Sequence, residues 1–234
     1  MPKIKVNGTS IYYEVNGNGH PFVFIHPGGL ESSSWHSQIA FFSKRYQVIT
    51  YDIRGHGQSE VPEGSYSFGD CVEDLHQLLD HLAIQRIYLA GLSMGGNIAL
   101  SFTLSYPEMV DALILVGSNS GPMIETTRKR SEEIIAELMR SKGTDAAMKY
   151  RKAHEASAAR PDLTNRLSEI RRPVLIIVGD RDRAAPRYLS EEMHRGIADS
   201  RLVVLPNCGH RCHQEQPDTF NSIVSDFLQR VEAV

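Results

Sequence analysis

The run Ile87-Tyr88-Leu89-Ala90-Gly91-Leu92-Ser93-Met94-Gly95-Gly96-Asn97-Ile98-Ala99-Leu100 joins an apolar, strand-length segment to a helix-forming one through G-x-S-x-G. A chain passing from strand to helix this abruptly turns sharply and pushes Ser93 into a strained conformation at the strand's carboxyl end. Gly91 and Gly95 suit that turn, because a Cβ at either place would collide with the facing chain. The Ser93 hydroxyl then projects above the sheet at a helix N-terminus, where the dipole and the Met94 N–H can stabilise an oxyanion. The bland alternative makes Ser93 a helix N-cap and Gly95-Gly96 a packing contact. The pentapeptide alone arises by chance; its strand–turn–helix setting favours an exposed nucleophile.

The alternation of strand and helix extends outward in both directions. At the start, two β-rich runs within Ile4–Val15 are broken at Asn7-Gly8, a strong hairpin signal. Six further strands are expected at Phe22–His26, Gln47–Asp52, Ile87–Gly91, Ala112–Ser118, Val174–Asp180 and Arg201–Asn207. Most are short and mostly apolar rather than alternating, as parallel strands covered on both faces are. Ser67 and Asp70 resemble a capping box ahead of the stripe Val72, Leu75, Leu78, Leu79 and Leu82. Met94–Tyr106 reads as a second helix closed by Pro107, and Phe220, Val224, Phe227 and Leu228 stripe a C-terminal one. A mostly parallel, mixed sheet wrapped by helices follows. Only Asn119–Arg172 breaks the pattern: no strand is visible, and residues 121–172 hold 12 Lys and Arg against 8 Asp and Glu, leaving 13 against 20 elsewhere.

Composition narrows the class. With 234 residues, 41% hydrophobic, the chain can build a core without disulfides, and its three cysteines cannot all pair. A net charge of −3 argues against a partner that is nucleic acid. The longest apolar runs fall far below the ~20 residues of a membrane span, and Met1-Pro2-Lys3-Ile4-Lys5 lacks a secretory apolar stretch. A soluble, cytoplasmic protein that does not engage membranes is expected.

A serine hydroxyl is a poor nucleophile until a histidine can take its proton, and that histidine needs a carboxylate to fix its tautomer. Gly179-Asp180-Arg181-Asp182 offers two carboxylates; Asn207-Cys208-Gly209-His210 offers His210, with His213, His26 and His56 as competitors. His26-Pro27-Gly28-Gly29 follows the first parallel strand, and Asp52-Ile53-Arg54-Gly55-His56-Gly57-Gln58-Ser59 the next. Together with the serine pentapeptide these motifs, in this order, resemble the α/β-hydrolase superfamily, in particular small serine carboxylesterases and enol-lactone hydrolases, over nearly the whole chain. Pro27 stands where that family usually has glycine.

The resemblance implies an α/β-hydrolase fold, a mostly parallel eight-stranded sheet flanked by helices. Its core would be residues 1–118 and 172–234, with a short helical lid at 119–171 after the sixth strand. It implies Ser93 as nucleophile, Asp182 rather than Asp180 as acid and His210 as base. His26 would then bridge backbone groups and His56 hold a turn. The oxyanion donors would be the N–H groups of Met94 and of Gly28, with Gly29 the near alternative. Gly29, Met123 and Met139 are candidate substrate contacts, and Met123, Met139 and Met148 candidate lid core. Relatives with an acid after the sixth strand lack a counterpart here, where Ser118 and Asn119 stand.

Cys208, His210, Cys212 and His213 invite a zinc proposal, but structural sites draw a second ligand pair from a distant segment, and Cys71 stands alone. No metal and no cofactor are expected. Arg128-Lys129-Arg130, Arg151-Lys152 and Arg171-Arg172 either line an entrance for anionic substrates or form a solvated helical surface, the second being favoured. Serine at the elbow excludes relatives that use a covalent aspartate. Acyl chemistry on a small-molecule ester, lactone or thioester remains, with carbon–carbon bond hydrolysis or a lyase reaction on the same residues as the alternative and a non-catalytic small-ligand receptor behind them.

Overall fold

Asn7 and Gly8 turn the chain back on itself at φ 44° and 77°, the left-handed pair that a two-residue hairpin needs. They join β1 (Lys3–Val6) to β2 (Thr9–Asn16) in the computed structural model, which describes residues 2–233. Six more strands follow: β3 (Pro21–Ile25), β4 (Gln47–Tyr51), β5 (Ile87–Leu92), β6 (Val110–Val116), β7 (Val174–Gly179) and β8 (Ser200–Leu205). The sheet order is β1-β2-β4-β3-β5-β6-β7-β8. β2 is antiparallel to both β1 and β4, and every other pairing is parallel.

Among the described residues eight α-helices surround it: α1 (His36–Phe42), α2 (Phe68–His81), α3 (Met94–Ser105), α4 (Glu125–Ser141), α5 (Thr144–Ala158), α6 (Arg187–Gly196), α7 (Cys212–Glu215) and α8 (Pro217–Glu232). The strands bury both faces. Val23, Ile25, Leu89, Leu113 and Ile176 pack with Leu75 and Leu79 of α2, Ile98 and Phe102 of α3 and Met193 of α6. The alternate residues Phe22, Phe24, Ala90, Ile114 and Ile177 face Phe42 of α1 and Phe220, Val224 and Leu228 of α8. Period two with two apolar faces explains why the strands read as continuous apolar runs.

The expected capping box opens α2: Ser67 Oγ accepts from the Asp70 N–H at 3.1 Å, and the Asp70 carboxylate accepts from the Ser67 N–H at 2.8 Å. Helices α1 and α6 have no counterpart in the sequence reading. α6 buries only Leu189, Ser190 and Met193, too thin a stripe to stand out. Five parallel strands stop short of their expected carboxyl ends, so His26, Asp52, Ser118, Asp180 and Asn207 lie in loops. His26, Asp52 and Asp180 bond loop N–H groups there instead of continuing a strand.

Between β6 and β7 the expected helical insertion is present as α4 and α5, which pack on each other. From Leu163 onward the chain returns to the main core, where Leu163, Leu167 and Ile170 are buried and Leu167 lies against Gly196 of α6. Met139 and Met148 are 45% and 50% exposed, so they do not form the core between these helices. α5 instead buries Ala147, Ala153, Ala156 and Ser157, two of which, Ala153 and Ser157, line the Ser93 cavity.

Candidate active site

Ser93 stands between β5 and α3 at φ 55° and ψ −119°, a conformation that a serine adopts only under constraint. A Cβ on Gly91 would collide with the Gly95 carbonyl, and one on Gly95 with the Ile25 and His26 carbonyls. The Ser93 N–H is tied to the Val116 carbonyl at 2.9 Å, and its own carbonyl accepts the first helical bond from Asn97 at 2.9 Å. Both glycines and the backbone bonds thus hold the turn sharp, and the side chain is aimed by the backbone rather than by its own contacts.

The N–H groups of Gly28, Gly29 and Met94 donate to no acceptor among the described residues. Gly28 lies against Met94, since a Cβ there would sit 3.3 Å from the Met94 sulfur. Gly29, at φ 79°, is covered by the ring of Tyr150 from α5. His26 supports this loop from below. Its Nε2 accepts from the Ile53 N–H at 2.9 Å, so Nδ1 carries the proton and donates to the Pro27 carbonyl at 2.8 Å. Burial depresses its pKa to about 3, with nearby His56 acting in the same direction. His56 places Nδ1 3.1 Å from the Arg54 carbonyl and holds the next turn.

Asp182 and His210 come from the loops after β7 and β8 and meet at 2.8 Å, Oδ2 to Nδ1. The other Asp182 oxygen accepts from the Ala184 and Ala185 N–H groups, each at 2.9 Å, which fixes the carboxylate. An ionised carboxylate on Nδ1 leaves the His210 Nε2 lone pair to accept a proton. Asp180 is exposed and serves differently, accepting from the Cys208 N–H at 3.1 Å. Its pKa is lowered chiefly by a bond from the backbone of Asn207, which outweighs the opposing effect of burial, and the Cys208 N–H adds to the lowering. His213 is fully buried against Trp35, with Nε2 3.2 Å from the Ser34 carbonyl, and burial lowers its pKa to about 4.

Two further residues shape the pair without having been singled out by the sequence. Gly117, at φ 46°, follows β6 beside it: an added Cβ would stand 3.0 Å from Asp182 Oδ2 and 3.2 Å from His210 Nδ1. Glu215 clamps the His210 loop from both sides, accepting from the Gly209 N–H at 2.7 Å and the Arg211 N–H at 3.1 Å. Cys208 and Cys212 are buried thiols, and burial raises the pKa of Cys208 to about 11. Among the described residues no group of three His, Cys, Asp or Glu could hold a metal ion, and no helix is long and apolar enough to cross a membrane.

A cavity of about 110 Å³ brings Gly28, Gly29, Ser93 and Met94 together with Met123, Tyr150, His154 and Arg160 of the insertion. Met139 does not reach it. α4 turns Thr127 and Ser131 toward the cavity and buries Ile135, while Met139, one turn further on, extends past it. Arg128 and Lys129 pair with Glu125 at 2.6 and 3.7 Å, and Arg130 pairs with Glu133 at 2.9 Å, all on exposed helix surface away from the cavity. Lys152 reaches across to the core, donating to the Pro62 and Glu63 carbonyls at 2.6 and 2.7 Å. A wider groove of about 1290 Å³, lined by residues such as His20, Gln47, Pro173 and Asp199, opens at the amino ends of the strands, remote from Ser93.

Comparison with known proteins agrees with this architecture. A family model described as alpha/beta hydrolase fold matches residues 21–142, and one described as TAP-like protein matches 146–233. The chain is 30% identical to 3-oxoadipate enol-lactonase 2 of Acinetobacter baylyi, covering 89% of this chain and 88% of the relative. It is also 30% identical to the 2-hydroxy-6-oxononadienedioate/2-hydroxy-6-oxononatrienedioate hydrolase of Burkholderia vietnamiensis, covering 94% and 91%. Among solved structures, a thermophilic esterase from Thermogutta terrifontis superposes with a TM-score of 0.89 at 26% identity, over 99% of both chains.

Proposed function

The chain belongs to the alpha/beta hydrolase fold family, and from that premise we propose that it is a serine hydrolase cleaving a carboxylic ester, lactone or related acyl bond. The reading is carried by one observation: a serine at φ 55° on a strand-to-helix turn, in a fold that also sets His210 on Asp182 at 2.8 Å. Ser93 Oγ attacks the substrate carbonyl while His210 Nε2 takes its proton. Asp182 steadies the imidazolium. The N–H groups of Met94 and Gly28 receive the oxyanion, Gly28 being preferred to Gly29 because it adjoins Met94. His210 then protonates the leaving oxygen, and an acyl-enzyme ester on Ser93 remains. A water, deprotonated by His210, attacks that ester and restores the serine. Each proton moves between Ser93, His210, water and substrate, so these steps call on no cofactor.

The helices α4 and α5 act as a lid in this reading, because their residues line the cavity that holds Ser93. At about 110 Å³ the cavity is below the ~300–1,000 Å³ of drug-sized sites, which favours a short acyl group. Similarity to an enol-lactonase and an esterase supports acyl chemistry. Similarity to the 2-hydroxy-6-oxononadienedioate/2-hydroxy-6-oxononatrienedioate hydrolase supports a second reading, carbon–carbon bond hydrolysis on the same three residues. A panel of p-nitrophenyl esters, lactones, thioesters and a vinylogous 1,5-diketone acid, assayed with wild type and Ser93→Ala, separates them. Turnover of short esters or lactones that Ser93→Ala loses supports the first reading; turnover of the diketone alone supports the second.

A further inference from the structure

Arg160 follows α5 and lines the cavity that holds Ser93. Three of its five guanidinium N–H groups go to uncharged oxygens: Nε to the Gly121 carbonyl at 3.2 Å, Nη1 to the Ser157 carbonyl at 2.9 Å and Nη2 to Asn119 Oδ1 at 3.0 Å. No carboxylate pairs with it among the described residues. Arg54, buried where Arg160 is half-buried, shows the contrast, since its Nε meets Asp74 at 2.6 Å. Burial pulls the Arg160 pKa down to about 10 with no charged neighbour opposing it, so the side chain stays cationic at neutral pH. A cation partly withdrawn from water without a counter-ion is costly, and an anionic ligand would supply the missing charge.

Ser118 is a second, independent sign. It is 2% exposed and lines the same cavity, yet its hydroxyl has no partner among the described residues. It stands over the first turn of α3, where a Cβ on Gly96 would touch it. A planar carboxylate matches the edge of a guanidinium and can accept a hydroxyl as well. Asn119 holds the guanidinium and is held in turn by Asn97 Nδ2 at 3.2 Å. Asn97 lies one helical turn beyond Ser93, about 5.4 Å along the axis, so an anion here is a short carbon chain away from the attacked carbonyl.

We propose that Arg160 and Ser118 form an anion subsite that reads a carboxylate on the acyl part of the substrate, making half-esters of short dicarboxylic acids the favoured class. This rests on the acyl chemistry proposed for Ser93. The exposed cluster Arg128-Lys129-Arg130 has no part in it, because its charges are already paired outside the cavity.

The test compares kcat/KM for mono-p-nitrophenyl glutarate with that for p-nitrophenyl valerate, its uncharged counterpart, in wild type, Arg160→Gln, Arg160→Lys and Ser118→Ala. The anionic-to-neutral ratio is expected to fall about 10- to 100-fold in Arg160→Gln, the scale of a charge-assisted hydrogen bond. It should fall about 3- to 10-fold in Ser118→Ala, with Arg160→Lys between wild type and Arg160→Gln. The loss should sit mainly in KM for the glutarate ester, which general damage to the site would not produce. Ratios that stay unchanged in the Arg160 and Ser118 variants overturn the subsite. Should Arg160→Gln fail to fold, Ser118→Ala and Arg160→Lys decide by the same ratio. Calorimetric titration of glutarate into Ser93→Ala judges the subsite without turnover: binding weakened at least threefold by adding Ser118→Ala supports it, and no binding refutes it. If wild type hydrolyses neither ester while glutarate binds in this Ser118-dependent way, the acyl reading falls and the subsite stands.

Discussion

The loops at the carboxyl ends of β5, β7 and β8 and the helical insertion between β6 and β7 are held by different forces. In the loops, short-range constraints leave little freedom: Ser93 is forced to φ 55°, Asp182 is fixed by two N–H groups, and Glu215 brackets His210. The insertion has far less holding it. α4 buries only Ser131 and Ile135, its charges pair along its own exposed surface, and α5 packs through alanines. The rigid part therefore suits bond-breaking chemistry, which tolerates little displacement, and the looser part suits the choice of substrate. Changes in the loops should be all-or-none; changes in the insertion should be graded.

The sharpest break between the regions is expected at the candidate triad. Ser93→Ala and His210→Ala should each lower kcat/KM for a short ester by ~10³-fold or more, while thermal melts shift little, since Ser93 is only half-buried and His210 lies at the surface of its loop. His213→Ala should instead leave much of the rate and lower the melting temperature, because it opens a hole beside Trp35. A catalytic loss in His213→Ala matching that of His210→Ala would mean that the base is misassigned.

A second difference is set by pH. His26 and His213 are held neutral beneath the loops at pKa values of about 3 and about 4, whereas an unfolded histidine titrates near ~6.5. Below ~6.5 the unfolded chain takes up protons that the folded chain refuses, so stability is full above that value and is lost as pH falls toward 4. Each group can remove up to about 1.4 kcal/mol per pH unit in that window. Denaturant melts should show the decline, and His213→Gln should flatten it. A decline as steep in His213→Gln as in wild type would assign the loss to other groups.

The insertion should give smaller, graded effects. Replacing residues 123–158 by a short Gly/Ser linker keeps Leu163, Leu167 and Ile170 in the core. Sheet circular dichroism should persist, and small activated esters should still turn over. Relative rates across an ester panel should change by about 10-fold or more, as lost pocket contacts of ~1–3 kcal/mol would produce. An unchanged profile would remove the lid role. The smallest effect is expected from neutralising Arg128, Lys129 and Arg130 together: KM for anionic esters should move less than ~2-fold, since exposed pairs contribute little. A large, salt-sensitive rise would restore the entrance reading.

The same division governed what could be read from residues alone. The elbow, the hairpin at Asn7-Gly8 and the Ser67–Asp70 cap were legible because each is a local backbone problem with few chemical solutions. Strand ends were overrun at His26, Asp52 and Asp180, where polar side chains leave the ladder to bond loop N–H groups, a choice made by distant partners such as Ile53 and Cys208. Glu215 and Gly117 escaped notice because their roles depend on which loops meet, although a left-handed glycine just after a strand is a signal in hindsight. In the insertion, Met139 and Met148 read as core by hydrophobicity, yet both are exposed and the buried positions of α5 are held by alanines and a serine. Arg160 is hidden among the twelve basic residues of that region, and its place on the Ser93 cavity is what distinguishes it.

The central claim is that Ser93 carries the acyl group. Acid quench of the enzyme during turnover of p-nitrophenyl acetate, followed by intact and peptide mass spectrometry, tests this directly. One acetyl group per chain on the peptide containing Ser93, absent from Ser93→Ala and formed far more slowly by His210→Ala, is the predicted result. Acetylation at another residue, or at Ser93 with an undiminished rate in His210→Ala, would contradict it.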